Sequence, residues 1–451
     1  MIKAAAPILL LFFLSCSGKG KGLSLYLTND FNSLLWDESE KIYSLAEEIK
    51  NDANPKLIIE TGDFFSQSHP ENLDDGFQSA LKAADIFGLD AICADESFLK
   101  IEKEDLPKDA EKYILSSNLY LKNKKIFSPL RNICDSSSSI CAVSAYIPQF
   151  SFPEKAGYTK DYRIENPIYE INKNLNKVKE KKSFEIIFLY IRDFEGKKDK
   201  KRLSDFLQKL TPKPELVIIK SEKEFSPFKC RNIWIAYAPK SEAAKISVTE
   251  IPVLKIKKVK TYVLNLSKTA KTNLSNEQLE KIRKDKFFKL SKVYSSSDKD
   301  IPAQQRGPGG TAYFMSKIIS RYIKSNGAFY SAQAVKKGFK KGEIRLRDIY
   351  DSVSPQDRLI YCKIKGIDLE KMIKSSDISY LEYYPFQIDE QKEISIYGEK
   401  LKKDKIYRIL IPQSAAGKEY SLLSYSMEFS VLNKTVLDAA LWYFRTHKKA
   451  E

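Results

Sequence analysis

Histidine is the residue that this chain has least of for its length. His69 and His447 are the only two among 451 residues. This count excludes a hydrolytic centre in which several imidazoles hold two metal ions. His447 lies at the basic C-terminal end, and His69 precedes a proline in a polar loop, where we expect it to be exposed. A metal bound by this chain would have to rely mainly on oxygen ligands.

Long hydrophobic runs are also absent. The apolar stretch 4–14 is far too short to span a bilayer as a helix, and no later stretch approaches spanning length. It follows Lys3 and is typical of a secretory signal. Residues 13–16, Phe-Leu-Ser-Cys, form a relaxed bacterial lipobox. We therefore predict a signal peptide over 1–15, a lipid on Cys16 and a polar tether over 16–22.

The predicted lipid fixes the expected location. Acyl chains anchor a protein by burying their methylenes, so the mature chain would be attached to a membrane at the bacterial cell envelope without crossing it. The alternative is an ordinary signal peptide in which Cys16 is incidental.

Cysteines are few and carry no metal-type spacing. Cys134 and Cys141 flank a serine-rich turn, and in an exported protein they could close a disulfide. Cys93 lies in an apolar run, where a buried, unreactive thiol is expected. The strained Gly-x-Ser-x-Gly turn of serine hydrolases is missing as well.

The net charge of +17 raises the question of nucleic-acid binding. The lysines, however, are dispersed and mixed with acids, and no zinc-finger spacing or aromatic RNA-binding signature accompanies them. We therefore predict no specific nucleic-acid recognition. The charge is either a dispersed lysine surface or an attraction to anionic lipid and other polyanions.

Apolar runs alternate with amphipathic stretches in the first half of the chain. Strands are predicted over 23–27, 56–60 and 90–93, with helices over 41–50 and 76–87. Later apolar runs, over 184–190 and 215–220, have the composition of buried strands. This rhythm predicts a layered α/β domain over 23–268 whose site lies in the loops at the strand ends.

The second half contains a connection and a further domain. The alternating stretch 251–266 predicts one or two strands, and the charged stretch 275–293 predicts a connecting helix. A flexible segment is expected over 295–310, so that 269–310 forms a helical linker. Mixed helices and strands over 311–446 predict a second, smaller α+β domain.

Short motifs follow one another in a recognisable order. In the first half they are Thr28-Asn29-Asp30, Thr61-Gly62-Asp63, Ala94-Asp95-Glu96 and Leu115-Ser116-Ser117-Asn118. In the second half they are Gly342-Glu343-Ile344, Lys365-Gly366-Ile367-Asp368-Leu369 and Asp438-Ala439-Ala440-Leu441. In this order the chain resembles the bacterial 5′-nucleotidase family over nearly all of its mature length. The resemblance implies a four-layer metallophosphatase β-sandwich flanked by helices, followed by the family's C-terminal domain.

The resemblance also implies a chemistry, and this chain departs from it where that chemistry would occur. In the family, two metal ions activate water for phosphoester hydrolysis. Asp30 matches a metal ligand and Asp63 the bridging aspartate. Asn32 stands in place of a histidine, and Asp95 and Glu96 replace the family's Asn-His pair.

Two further histidine positions are lost. Ile191 occupies one of them. The stretch Lys220-Ser221-Glu222-Lys223 replaces Gly-His-x-His, and we expect Lys223 to put an ammonium where a metal ligand would lie.

Some of the residues that bind substrate in the family are also replaced in this chain. Lys336 replaces the arginine that grips the phosphate, and Asn118 is retained. Gln356 replaces one of two aromatic rings that sandwich the base, whereas Tyr420 matches the other. A single ring contributes roughly 1–3 kcal/mol of stacking, too little to hold a nucleotide alone.

Two functional hypotheses follow. The leading one is a lipid-anchored, catalytically degenerate binding or surface interaction protein whose ligand class is nucleotides or phosphate esters. The alternative is a phosphoesterase with an oxygen-rich site for Mg²⁺, Mn²⁺ or Ca²⁺, with Glu96 as acid or base and Lys336 on the phosphate. Its metal ligands would be Asp30, Asp63 and Asp95, with Asn32 or His69 as possible additions. A third reading is that Asp30 and Asp63 only cap loops or helix starts.

Overall fold

The chain is described by a computed structural model. The described residues are 22–66, 69–95, 97–98, 101, 106–121, 131–135, 138–146, 162–178, 184–190, 196–220, 225–238, 243–249, 256, 258–264, 266, 274–355, 357–375, 379–416 and 418–450. For some of them, including Cys134, Cys141 and Tyr420, the description covers the backbone alone. The chain divides into two compact units, one up to Arg283 and one from Lys284 onward.

The first unit contains two six-stranded sheets. Its strands β1 to β14 span, in chain order, Leu23–Thr28, Lys56–Glu60, Ala91–Cys93, Ile114–Leu115, Leu119–Leu121, Arg131–Asp135, Ser138–Tyr146, Tyr162–Ile164, Phe184–Tyr190, Leu216–Lys220, Phe228–Cys230, Ile233–Ala238, Ala244–Thr249 and Lys258–Val263. One sheet has the order β14-β13-β1-β2-β3-β4 and the other β11-β12-β10-β9-β7-β6, while β5 and β8 form a separate pair.

Helices cover the outer faces of both sheets. Helices α1 to α6 span Phe31–Trp36, Ser39–Asn51, Pro70–Leu73, Gln78–Phe87, Pro167–Val178 and Gly196–Gln208. Leu25 and Ile59 of one sheet pack with Phe188 and Ile218 of the other in a shared inner core. Separate apolar clusters join α1, α2 and α4 to the first sheet and α5 and α6 to the second. The predicted four-layer sandwich is confirmed.

The strands are apolar because they are buried from both sides. Every residue of β1 is buried, and so are four of the five in β2. Strands β1, β2 and β3 are parallel neighbours, so their carboxyl ends lie at one edge of the sheet. Asp30, Asp63 and Asp95 follow these ends within three residues each.

The second unit is built on a five-stranded sheet of order β19-β16-β23-β18-β24. Strands β15 to β24 span Val293–Ser297, Gly327–Ser331, Gly342–Arg345, Arg358–Lys365, Leu381–Tyr384, Phe386–Ile388, Ile394–Ile396, Glu399–Lys400, Ile406–Pro412 and Glu428–Thr435. Helices α7 to α11 span Leu274–Leu290, Thr311–Tyr322, Leu346–Ser352, Gly366–Lys374 and Val436–Thr446. Helices α8 and α11 pack on one face of the sheet and α10 on the other.

The connection differs from the sequence-based expectation. The predicted helix is present as α7, and the division between the two units falls inside it. The prediction of flexibility from residue 295 is wrong, because β15 pairs antiparallel with β17. Ser295 and Ser297 are buried there, and their hydroxyls donate hydrogen bonds to backbone carbonyls. Serine is tolerated in this strand because its polar atoms are satisfied. None of the described helices is long and apolar enough to cross a membrane.

Candidate functional site

The centre of the candidate site is a buried lysine between two carboxylates. Lys220 is the last residue of β10 and is only 7% exposed. Its Nζ lies 3.0 Å from Asp63 Oδ2 and 3.3 Å from Asp95 Oδ2. One ammonium thus joins the loops that follow β2 and β3. The sequence-based expectation named Lys223, which lies outside the described residues.

The carboxylate of Asp95 accepts hydrogen bonds from its own loop. Its Oδ1 accepts hydrogen bonds from the backbone N–H of Ser97 at 3.0 Å and from the Ser97 hydroxyl at 2.7 Å. Its Oδ2 accepts from the backbone N–H of Asp63 at 2.7 Å. This carboxylate therefore holds the loops after β2 and β3 together, in addition to pairing with Lys220.

Gly62 allows the lysine to approach the backbone closely. A Cβ atom at this position would lie 2.2 Å from Lys220 Nζ and 2.5 Å from Asp95 Oδ2. No side chain fits in that space without displacing the ion pair. The Thr61-Gly62-Asp63 motif is consequently compatible with a lysine in contact with its backbone.

The carboxyl group of Asp63 is a weaker acid here than an ordinary aspartate. Burial and the neighbouring charge of Asp95 raise its pKa, and the ammonium of Lys220 offsets only part of that rise. Its φ of 63° lies in the left-handed region, which aspartate tolerates better than most residues.

Asp30 belongs to a different cluster. It is the N-cap of α1, and its carboxylate accepts hydrogen bonds from the backbone N–H of Ser33 at 3.3 Å and from the Ser33 hydroxyl at 2.8 Å. Its Oδ1 also lies 3.7 Å from His69 Nε2. Asp30 thus performs the capping role that was one of the sequence-based alternatives.

His69 is buried, so the expectation that it is exposed is wrong. It is 5% exposed, and its Nδ1 lies 3.5 Å from Asp37 Oδ2. The following Pro70 begins α3, and this short helix carries His69 at its N-terminal end. Burial disfavours the charged ring, but Asp30, Asp37 and Glu71 outweigh it and raise the pKa of His69.

Glu60 is a buried carboxylate that sequence reasoning missed. It accepts hydrogen bonds from the Thr28 hydroxyl at 2.6 Å, the Phe31 N–H at 3.1 Å and the Gly62 N–H at 2.9 Å. Burial raises its pKa to about 8 despite these donors. The available signal was an acidic residue at the end of an otherwise apolar strand, directly before Thr61.

Asn32 is fully buried behind the motif loops. Its amide nitrogen donates to the Phe64 carbonyl, while its Oδ1 has no hydrogen-bond partner. Glu96, the predicted acid or base of the alternative hypothesis, lies outside the described residues.

The described residues do not fit a two-metal centre. Among them, no group of three or more histidine, cysteine, aspartate or glutamate side chains is arranged to hold a metal ion. Asp63 and Asp95 share an ammonium, and Asp30 is engaged with Ser33 and His69. An ion entering between Asp63 and Asp95 would meet the positive charge of Lys220 at short range.

The space beside the ion pair is very small. A cavity of about 10 Å³ lies between the two sheets and is lined by Thr61, Cys93, Phe188, Ile218 and Lys220. That is about the volume needed for a single water molecule. It does not accommodate a nucleotide.

The residues predicted to contact substrate are distributed over both units of the chain. Asn118 is fully buried in the first unit, and its side-chain amide donates to the Glu165 carbonyl at 3.3 Å. In the second unit Lys336 is exposed, and its backbone N–H donates to the Ser352 carbonyl. Tyr420 lies in the 3₁₀ helix Lys418–Tyr425. Gln356 lies outside the described residues.

The cysteines fall into three groups. Cys93, Cys230 and Cys362 are not in disulfides. Cys134 and Cys141 lie on the hairpin of β6 and β7, whose register pairs Cys134 with Ser139 and Cys141 with Asn132. Their disulfide remains a prediction. So does lipidation of Cys16, which lies outside the described residues.

Solved structures resemble this one over nearly the whole chain. No protein-family model matches the sequence, and no curated protein matches it either. A protein assigned as a 5′-nucleotidase from Staphylococcus aureus superposes with a TM-score of 0.62, at 12% identity, over 95% of this chain and 97% of its own. The 5′-nucleotidase precursor of Thermus thermophilus gives 0.59 at 12% identity, with the same coverage.

A third example is the 5′-nucleotidase of Candida albicans, with a TM-score of 0.54 and 11% identity over 95% of this chain and 98% of its own. This chain has the two-domain fold of the 5′-nucleotidases. At such low identity the shared fold does not carry the activity with it.

Proposed function

We propose that this chain uses the 5′-nucleotidase fold as a non-hydrolytic scaffold and acts as a lipid-anchored binding or surface interaction protein. The observation that carries the proposal is the position of the Lys220 ammonium, 3.0 Å from Asp63 and 3.3 Å from Asp95. A covalently attached cation lies between the two carboxylates that follow β2 and β3.

An ammonium does not replace the chemistry of a metal pair. Metal ions in phosphoesterases lower the pKa of bound water and neutralise the phosphoryl group in the transition state. An ammonium has a single charge and no open coordination position, so it can balance Asp63 and Asp95 but cannot bind and activate a water as a ligand. The cluster is therefore a structural ion pair in this proposal.

The ion pair also resists replacement. Breaking a buried pair by removing one partner costs about 3–5 kcal/mol, because the other charge is left uncompensated. An incoming cation would have to displace Lys220, and the displaced ammonium would be left without its two carboxylates. The missing imidazoles leave few groups to compensate for it.

A turnover assay tests the proposal. The chain from residue 22, where the described structure begins, would be incubated with nucleotides and with p-nitrophenyl phosphate in Mg²⁺, Mn²⁺, Zn²⁺ and Ca²⁺. We expect no phosphate release above that of the Asp63→Ala variant, and no bound metal by elemental analysis. Phosphate release that is lost in Asp63→Ala would reject the proposal in favour of the oxygen-rich metal site.

The proposal also includes a class of ligand. We take it to be nucleotides or phosphate esters, because Lys336 is exposed and offers a positive charge to such an anion. Calorimetric titration of the same protein with AMP and with inorganic phosphate, compared with Lys336→Gln, tests this part. Equal affinity of the two proteins would exclude Lys336 as an anion-binding residue.

A further inference from the structure

The C-terminal end of helix α7 carries two exposed phenylalanines. The second unit begins inside this helix, at Lys284. Phe287 is 64% exposed and Phe288 is 80% exposed, and neither ring belongs to a described core cluster. Phe288 is the most exposed large apolar side chain among the described residues. Rings left in water in this way indicate a surface that contacts something other than water.

Helix geometry directs Phe288 away from the protein. Each residue advances a helix by about 100°, so Lys286 and Leu290 share one face and Phe288 lies opposite that face. Lys286 is 7% exposed and Leu290 is 1% exposed. The face that carries them is therefore buried, and Phe288 projects outward from the opposite side with Phe287 beside it.

Positive charge accompanies the two rings. From Lys284 to Tyr294 the chain has four lysines and a single acidic residue, Asp285. Three of the lysines are exposed, Lys284, Lys289 and Lys292. Lys284 precedes the two rings by three and four residues, the spacing at which helical side chains are neighbours. The exposed rings thus lie within a basic segment.

Strand β15 continues this surface after the helix. Its first residue, Val293, is 45% exposed. The next residue is Tyr294, whose ring centroid lies 5.7 Å from Lys292 Nζ and 5.7 Å from Arg445 Cζ. Two cations on one ring require that Lys292 and Arg445 lie close together. Their like charges add to the positive potential of the segment.

We propose that residues 284–294 form a contact surface for an anionic lipid bilayer. Phe287 and Phe288 would enter the boundary between head groups and acyl chains, where interfacial helices place their apolar side chains. The exposed lysines would face the head groups, whose negative charge attracts basic segments close to a membrane. Apolar and charged side chains of one segment are thereby used together.

A bilayer suits this surface better than a nucleic acid does. Rings that stack on bases line a basic groove that follows the strand, whereas Phe288 projects outward from the end of a helix. The inference rests on the membrane location in the proposed function, because a lipid on Cys16 would bring the segment to a bilayer. It does not rest on the absence of hydrolysis.

The contact would orient the protein without anchoring it. Even one buried myristoyl chain binds a membrane only marginally, so two rings and a few lysines give a reversible contact. Salt would weaken it, since the charges of exposed lysines are screened. The expected role is to hold the second unit against the membrane once the lipid has attached the chain.

Vesicle flotation tests the inference. The chain from residue 22 lacks Cys16 and contains every described residue. At low ionic strength it should float with phosphatidylcholine vesicles that contain phosphatidylglycerol, and not with phosphatidylcholine alone. Phe288→Ser should lower the partition coefficient by about tenfold, because the variant has no ring to bury. Lys284→Gln should lower it by about fivefold.

Two control variants separate the segment from the surface in general. Phe429→Ser and Lys402→Gln change exposed side chains elsewhere in the second unit and should leave the partition coefficient unchanged. Phe288→Trp tests insertion directly, since its fluorescence should shift to the blue and be quenched by brominated lipid in anionic vesicles, relative to the wild type. Phe429→Trp should show neither change.

Three outcomes would overturn the inference. They are no flotation with anionic vesicles, flotation that Phe288→Ser leaves unchanged, and a chain that binds a single-stranded oligonucleotide through Phe288 but binds no vesicle. None of them depends on Cys16 or on phosphate release. Failure here is therefore distinguishable from failure of the predicted lipidation and from a positive turnover assay.

Discussion

At the scale of single residues, Lys220 is the side chain on which the most depends. Asp95 is 3% exposed in its side chain, so its charge is stabilised mainly by Lys220 and by donors from its own loop. Lys220→Met removes the ammonium and keeps most of the volume. We expect the free energy of unfolding to fall by about 3–5 kcal/mol, the usual cost of leaving a buried charge unpaired.

Urea unfolding followed by circular dichroism measures this loss. Lys209→Met is the matched control, since Lys209 is exposed at the end of α6 and its loss should change the free energy by no more than about 0.5 kcal/mol. A Lys220→Met variant as stable as the control would show that the ion pair does not hold the two loops together.

Glu60 provides a prediction about pH. Its pKa is about 8 in the folded protein and near 4.3 in an unfolded chain, so folding favours its protonated form. Its contribution to stability is fully present below the unfolded value and is lost as the pH rises through about 8. Glu60→Gln cannot ionise, so the wild type should lose stability relative to this variant between pH 5 and pH 9.

The measurement is the free energy of unfolding of both proteins at intervals across that range. Using the difference between them removes the contribution of other groups with raised pKa values, such as Asp357 and Glu185. A difference that does not change with pH would mean that Glu60 is ionised in the folded state.

At the scale of elements, the sequence was sufficient where burial alone decides the structure. The strand predicted over 184–190 has those bounds, and the helix predicted over 76–87 begins two residues later, at Gln78. Such runs are constrained by their own periodicity and by the layers that pack directly against them. β15 was missed because serine is a poor strand signal, and its pairing with β17 depends on residues about fifty positions away.

Only the part of the site that lies on a single sheet could be predicted from the sequence. Asp63 and Asp95 follow adjacent parallel strands, so their proximity is a property of one sheet and can be anticipated from sequence. The contact with Lys220 depends on how the second sheet stacks on the first, which no local pattern encodes. The burial of His69 likewise depends on tertiary contacts with Asp30 and Asp37.

At the scale of the whole molecule, this chain has the framework of the 5′-nucleotidase fold. Its described residues, however, include no group of side chains arranged to hold a metal ion. The sandwich, its inner core and the strand-end loops are all present, yet the carboxylates of Asp30, Asp63 and Asp95 in those loops interact with other groups of the protein. Asp95 pairs with Lys220, and Asp30 interacts with Ser33 and His69. Stability and surface recognition do not depend on hydrolysis, so a scaffold of this kind is compatible with the non-hydrolytic function proposed above.

Lipidation of Cys16 is the prediction that concerns where the whole molecule is located. Burial of one short acyl chain gives only marginal membrane binding, and anchoring strengthens with each additional chain. We expect the wild type in the membrane fraction of the producing bacterium and Cys16→Ser in the soluble fraction, because the variant has no thiol to acylate. Cys230→Ser, which removes a partly exposed thiol of the folded domain, should stay with the membrane. A Cys16→Ser variant that still sediments with membranes would instead show that contacts other than the lipid hold the protein there.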